Sequence, residues 1–331
     1  MVRVGIIGFG SLGQYLYQKF LTHIRFQVVF VWNRTEEKVR ENCVPSSQIL
    51  KNLEEFDSFN PEIIIEVASP EISHRFGHIF LERCHYVIGS PAALGNEETE
   101  ERLKEVSLRQ GKSIYVPSGA FWGSFDVRKM SEMNTLKGMK VTMTFSPSSL
   151  KTLKEPLKTK NESVREEPVT LYDGPVRGVL ELAPNNVNTL ATAAIAGRNL
   201  GFDGVRGILV SDPSHSLHHK ITFEVTGPSI EGREFKVITT RISPSARGAV
   251  TSSATFDSFL ASINRKFTKF LNVREVLECS LNSTQTPPNR DSCRRRSRIS
   301  SPLTLSTITK FQVVYCLIHC VHSIVSIGRF T

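Results

Sequence analysis

Gly8, Gly10 and Gly13 stand as G-x-G-x-x-G between a short apolar run and a stretch with apolar residues at helical spacing. Each glycine meets a separate steric demand of a dinucleotide. Gly8 permits the tight turn, Gly10 lets the backbone approach a pyrophosphate, and Gly13 lets the helix lie close to the sheet, with the phosphates on the helix N-terminus beside Ser11 and Leu12. About twenty residues later VVFVWNRTEE ends a second apolar run in Asn33 and Arg34, where NAD-preferring sites often carry an acid. A guanidinium pairs with a ribose 2′-phosphate through two hydrogen bonds, whereas a carboxylate would repel it. The expected cofactor is therefore NADP or NAD, with a lean to NADP. Ala68, Ser69 and Pro70 in IEVASP and Ser90 in SPAAL fall at the ends of two further apolar runs and are expected to line the nicotinamide end.

Three clusters in the second half carry further chemistry. PSGAFWGSFD sets Ser118, Gly119 and Ala120 in a turn of small residues ahead of a helix, which leaves backbone N–H groups open to a ligand. APNNVN places Asn186 and Asn188 before an apolar helix, where amides either cap the helix or bind a carboxylate. SDPSHSLHHKITFEV supplies His215, His218 and His219, and an imidazole near neutrality suits general acid–base work. Adjacent residues on a strand point to opposite faces, so at most one of His218 and His219 faces a site. No metal centre is expected. The body carries only Cys43 and Cys84, and neither H-x-x-E-H nor C-x-x-C spacing occurs.

Taken in order, GFGSLG, SGAFWGSFD, LYDGPVRG, PNNVN and DPSHSLHHKI make the chain resemble the L-aspartate dehydrogenase family over roughly residues 1–262, its animal members most of all. The resemblance implies that His219 is the catalytic histidine. It also sets Asn186 beside cofactor and substrate, Asn188 and Ser118 and Gly119 on the substrate, and Ala120 in the turn that approaches both. The implied reaction takes a hydride from the Cα of L-aspartate to the nicotinamide; water activated by His219 then attacks the resulting imine, giving oxaloacetate and ammonia. Leu217, Lys220 and the segment Thr144–Pro147 depart from the family's microbial pattern. Two other readings therefore stay open: a dehydrogenase or imine reductase acting on another substrate, and a cofactor-binding pseudoenzyme.

The elements that must position these residues follow from periodicity. Val2–Ile7, Phe26–Trp32, Pro61–Val67 and Tyr86–Ile88 read as buried strands with helix-compatible segments between them. That alternation gives an α/β fold with an N-terminal Rossmann doubly wound parallel sheet through about Val116. Beyond Pro117, GMKVTMTFSPSS, PVTLYDG, GVRGILVSD and KITFEVTG alternate as strands, and Asn188–Ala196 reads as a helix of small residues. This is an α+β second domain with an open, mostly antiparallel sheet. The polar stretch Lys151–Pro168 reads as an exposed loop. The expected domains are 1–117, 118–263 and a basic, poorly ordered tail 264–331.

Of the net charge of +9, that tail carries +8, with eleven Lys and Arg facing three Asp and Glu. A near-neutral body offers no basic face for nucleic acid. The uncharged stretch between Lys310 and Arg329 is too polar for a good membrane span. The expected partners are small molecules (L-aspartate or oxaloacetate, and ammonia), with neither nucleic acid nor membrane, and a second copy through the open sheet as a homodimer. Two distant body cysteines and no signal-peptide pattern point to the cytoplasm.

Overall fold

The computed structural model describes residues 1–267. The Pro, Ser and Arg-rich stretch and the uncharged segment near the C-terminus lie outside the described residues. In the first half, β1 (Val2–Ile7), α1 (Ser11–Leu21), β2 (Phe26–Trp32), the short α2 (Glu37–Arg40), β3 (Ile63–Glu66), α3 (Pro70–Leu81), β4 (His85–Ile88), α4 (Glu97–Gln110) and β5 (Ile114–Tyr115) build one sheet. Its order is β2-β1-β3-β4-β5, and every pairing is parallel. Strand order reverses between β1 and β3, and open α/β sheets bind ligands in the crevice at the carboxyl ends of strands at such a switch point. The strands are almost continuous apolar runs because helices cover both faces.

The second half adds α5 (Ser124–Glu132), β6 (Gly138–Phe145), α6 (Leu157–Glu162), β7 (Val169–Pro175), α7 (Val176–Leu180), α8 (Asn188–Ala196), α9 (Gly201–Gly204), β8 (Arg206–Ser211), β9 (His218–Ile230), β10 (Arg233–Pro244) and α10 (Ser253–Phe267). Its sheet runs β10-β9-β6-β8-β7, antiparallel except for β6 with β8. Alternate residues of β9, from His219 through Val225, are buried, whereas Lys220, Thr222 and Glu224 lie on the opposite, less covered face. One face is thus packed under helices and the other left open. No helix among the described residues is long and apolar enough to cross a membrane.

Three features depart from the sequence-based picture. The stretch expected as an exposed loop contains α6, and Leu153, Leu157 and Val164 are buried there. Those apolar residues are spaced too sparsely among lysines and glutamates to register as an amphipathic pattern. β10 is a whole strand that sequence periodicity did not reveal, because both of its faces are largely exposed and its residue types do not alternate. The third feature is α10. It lies in the range assigned to the second domain and beyond it, yet Phe259 and Ile263 share a buried cluster with Val4, Ile6 and Leu16 of the first sheet. The Tyr15 hydroxyl donates to the Asp257 carboxylate at 2.5 Å, so α10 lies across α1.

Candidate active site

The glycine turn has the shape that a pyrophosphate needs. Gly8 has φ +102°, and a Cβ there would meet the Val67 backbone at 2.7 Å; at Gly13 it would meet the Gly8 carbonyl oxygen at 2.1 Å. At Gly10 a Cβ would meet nothing within 4 Å, so that position opens outward. Gly10 is also the N-cap of α1 and brings no side chain to its free N–H groups. The residues present therefore fit a dinucleotide: Gly8 and Gly13 are tight for internal reasons, and Gly10 leaves room for phosphate oxygens at a helix N-terminus.

Asn33 pins this turn from behind. Its Oδ1 accepts from the Phe9 N–H at 3.0 Å and its Nδ2 donates to the Thr35 carbonyl at 2.8 Å, while Gly8 N–H donates to the Trp32 carbonyl at 2.8 Å. Both ends of the Asn33 amide are engaged within the protein, so its part is to hold the loop. Arg34, next in the chain, is exposed.

Glu66 is the residue that sequence reasoning passed over. It ends β3, is fully buried, and its Oε1 accepts from Ala68 N–H at 2.7 Å and Ser90 Oγ at 2.9 Å. Its Oε2 accepts from Ser90 N–H at 2.9 Å. One carboxyl thereby ties the turn after β3 to the turn after β4, and these turns contain Ala68, Ser69, Pro70 and Ser90. Burial pushes its pKa up to about 7, outweighing the hydrogen bonds that favour the carboxylate. The only sequence signal was an acid at the end of an otherwise apolar strand. Ser69, half-buried, precedes α3 as its N-cap, and Pro70 is the first residue of that helix.

Between the two sheets lies a cleft of about 110 Å³. Its wall brings together Leu12, Ser118, Gly119, Ala120, Asn186, Asn188 and His219. Gly8, Gly10, Ser11, Gly13, Asn33, Arg34, Ala68, Ser69, Pro70 and Ser90 are not part of that wall; they belong to the glycine turn and the ends of β2, β3 and β4. The Ser118–Ala120 turn is held by Phe121, which stacks on Phe223 of β9 at 4.6 Å between ring centroids.

His219 is buried, edge-on to Phe145 at 4.7 Å, and its Nε2 lies 3.0 Å from the Ala249 carbonyl oxygen. A carbonyl only accepts, so Nε2 carries the proton and Nδ1 is left as the basic nitrogen. Burial holds the pKa of His219 below the ordinary imidazole value, against the opposing pull of the Ala249 carbonyl. It is therefore a neutral base near pH 7. His218 lies on the other face of β9 with its ring tilted against that of His215, whose Nδ1 lies 3.0 Å from the Asp212 carboxylate; neither histidine is in the cleft wall.

The asparagines do not cap α8, which has no side-chain cap. Asn186 is buried, and its Nδ2 donates to the Ser149 carbonyl at 3.0 Å. The Asn188 Oδ1 is buried without a hydrogen-bond partner, and Asn188 lines the cleft. The segment before α10 was not anticipated as part of the site. Val250, Thr251 and Ser252, with Thr255 and Phe259 of α10, close one side of the cleft.

A glycine turn at the switch point of a parallel sheet, facing a second sheet that carries a buried neutral histidine, is the arrangement of an NAD(P)-dependent dehydrogenase. Comparison with known proteins narrows the class. The family model described as "Homoserine dehydrogenase, NAD binding domain" matches residues 4–117, and "Aspartate dehydrogenase, C-terminal" matches residues 126–265. An aspartate dehydrogenase domain-containing protein of Xenopus tropicalis is 44% identical over 267 residues, which are 79% of this chain and 93% of that protein. An L-aspartate dehydrogenase of Methanosarcina barkeri is 28% identical over 76% of this chain and 92% of its own. The crystal structure of aspartate dehydrogenase from Thermotoga maritima shares the fold, with TM-score 0.60 and 19% identity over 82% of this chain and 99% of that one. The chain belongs to the aspartate dehydrogenase family, and it is an NAD(P)-dependent amino-acid dehydrogenase.

The burial of Glu66 has a measurable sign. Above about 4.5 the unfolded carboxyl has lost its proton while the folded one keeps it up to about 7, so stability falls as pH rises through that window. Glu66→Gln, which cannot titrate, is expected to lose this slope and to be destabilised overall by about 1–3 kcal/mol, because an amide N–H then faces a backbone donor. Thermal melts of both proteins from about pH 5 to about pH 8 measure it; equal slopes would contradict the assignment.

Proposed function

We propose that the chain is an L-aspartate dehydrogenase that interconverts L-aspartate and water with oxaloacetate and ammonia, using NADP in preference to NAD. The observation that carries the reading is the tautomer of His219, whose Nε2 proton is committed to the Ala249 carbonyl and whose Nδ1 is free in the cleft wall. A dinucleotide would be held by its pyrophosphate at the glycine turn, and its nicotinamide would supply the hydride acceptor that converts an amine carbon into an imine carbon. His219 then takes a proton from the water that attacks this carbon and returns it to the departing nitrogen. Asn188 lines the cleft beside His219 and would contact the substrate through its side chain. The turn Ser118–Ala120 presents backbone N–H groups to the substrate, and Asn186 holds the wall opposite.

Arg34 supports the choice of NADP. It is exposed just beyond β2, one residue from the Asn33 side chain that fixes the glycine turn, and so lies within reach of a ribose 2′-phosphate. A homodimer is proposed through the open face of the second sheet, where Ile238 and Ile242 of β10 are 57% and 63% exposed. On that face Glu224 pairs with Lys140 at 2.5 Å. A cytoplasmic location agrees with Cys43 and Cys84, the cysteines of the described residues, both of which are free thiols.

His219→Ala is expected to lower turnover by about two to four orders of magnitude with NADPH affinity unchanged. In the wild type, the rate of aspartate oxidation is expected to fall only as pH drops through a value below 6.5, where the Nδ1 base becomes protonated. A pH–rate profile with its acidic limb above that value would assign the base elsewhere. Arg34→Asp is expected to weaken NADPH by about tenfold or more and NADH little, as measured by nucleotide fluorescence titration. Light scattering of the wild type at micromolar concentration is expected to give twice the chain mass, and Ile238→Asp the mass of one chain.

A further inference from the structure

The wall of the cleft contains no lysine, arginine or carboxylate; His219 is its one titratable side chain. A dicarboxylate entering it would meet backbone N–H groups, amides, hydroxyls and apolar atoms, but no formal positive charge. Taking two carboxylates out of water without a cation is costly. Arg241 stands just behind that wall. It lies on β10 opposite Ile221 of β9, and Ser243, two residues on and on the same face, lies opposite His219. Ile221, Ser243 and His219 all line the cleft.

The Arg241 guanidinium is half-buried, and its Nη1 donates to the Gly119 carbonyl at 3.3 Å. Gly119 is itself part of the cleft wall, in the turn of small residues that faces the substrate. Among the described residues no carboxylate hydrogen-bonds or ion-pairs with Arg241, whereas the other arginines of this sheet do otherwise: Arg206 is paired with Asp173 at 2.7 Å and Arg233 with Glu231 at 2.6 Å. Burial alone shifts Arg241, pulling its pKa down with no acid nearby to offset it. A guanidinium has five donors, and one long bond to a carbonyl leaves most of its fork available. A half-buried, unneutralised guanidinium beside the substrate turn is a poor structural element and a good anion receptor.

We propose that Arg241 receives a carboxylate of the substrate at the Gly119 edge of the cleft and thereby selects amino acids with an acidic side chain. This role rests on the reading of the chain as an aspartate dehydrogenase. It assigns Arg241 to substrate specificity, with Gly119 as the hinge that holds the guanidinium beside the cleft. His219 keeps the proton chemistry, and the glycine turn keeps the cofactor.

The test compares wild type with Arg241→Gln in the full chain, following NADP-dependent oxidation of L-aspartate and the binding of NADPH by fluorescence. The expected result is a KM for L-aspartate raised by about 10- to 100-fold, with kcat changed by less than about threefold and NADPH affinity unchanged. An unchanged KM would overturn the assignment. Should Arg241→Gln melt within the assay range, Arg241→Lys carries the comparison, with an expected KM about 3- to 10-fold above wild type because a point charge replaces a two-pronged fork. An unchanged KM in that variant overturns it equally. If the wild type does not oxidise aspartate, the aspartate reading fails separately, and succinate titrated calorimetrically onto the NADPH-saturated proteins decides the anion site. Binding by wild type that is lost in Arg241→Gln upholds the site; no binding by wild type, or equal binding by both, removes it.

Discussion

The hydrogen bond from His219 Nε2–H to the Ala249 carbonyl links the two halves of the site. His219 belongs to the second sheet, while Ala249 lies in the segment that leaves β10 and enters α10, whose Phe259 and Ile263 are buried in the first sheet's core. The chain crosses from cofactor sheet to catalytic sheet once after β5 and returns through this segment. The bond sets the imidazole tautomer, and the same segment closes the cleft. Tautomer and closure are therefore one constraint, because moving the segment away would leave Nε2–H without its acceptor.

Glu66 exerts a comparable control on the other wall. A fully buried carboxyl accepting from Ala68 N–H, Ser90 N–H and Ser90 Oγ ties the two loops together. Its burial is costly to the charged form, which is why its pKa rises to about 7. Such a group is tolerated where precise placement of two turns matters more than maximal stability. Together with Asn33, which anchors the glycine turn, it makes the ends of β1 through β4 a single braced surface.

Much of this architecture was legible along the chain. Parallel strands buried on both faces read as apolar runs, and helix α8 was bounded correctly at Asn188–Ala196 because its small apolar residues follow a cluster of amides. Strand alternation limited the site to one of His218 and His219, the family resemblance pointed to His219, and in β9 it is His219 that is buried. What stayed hidden shares one cause: its role depends on partners distant in sequence. β10 has no alternation of residue type, since its place comes from pairing with β9. α10 was assigned by position to the second domain, but its packing partners lie at the start of the chain.

The sequence by itself determined the local chemistry: a turn shaped for a pyrophosphate, a histidine on one face of a strand, and the alternation that makes a parallel sheet. Those properties depend on residues within a few positions of one another, where backbone sterics and side-chain periodicity act directly. The tertiary structure decided which nitrogen of His219 is free, that Asn186 and Asn188 line a cleft and do not cap α8, and that Glu66 and Arg241 stand buried or half-buried beside it. Tautomer, burial and the absence of a counter-ion are set by atoms from remote segments, and the order of residues along the chain does not contain them until the two sheets are brought together.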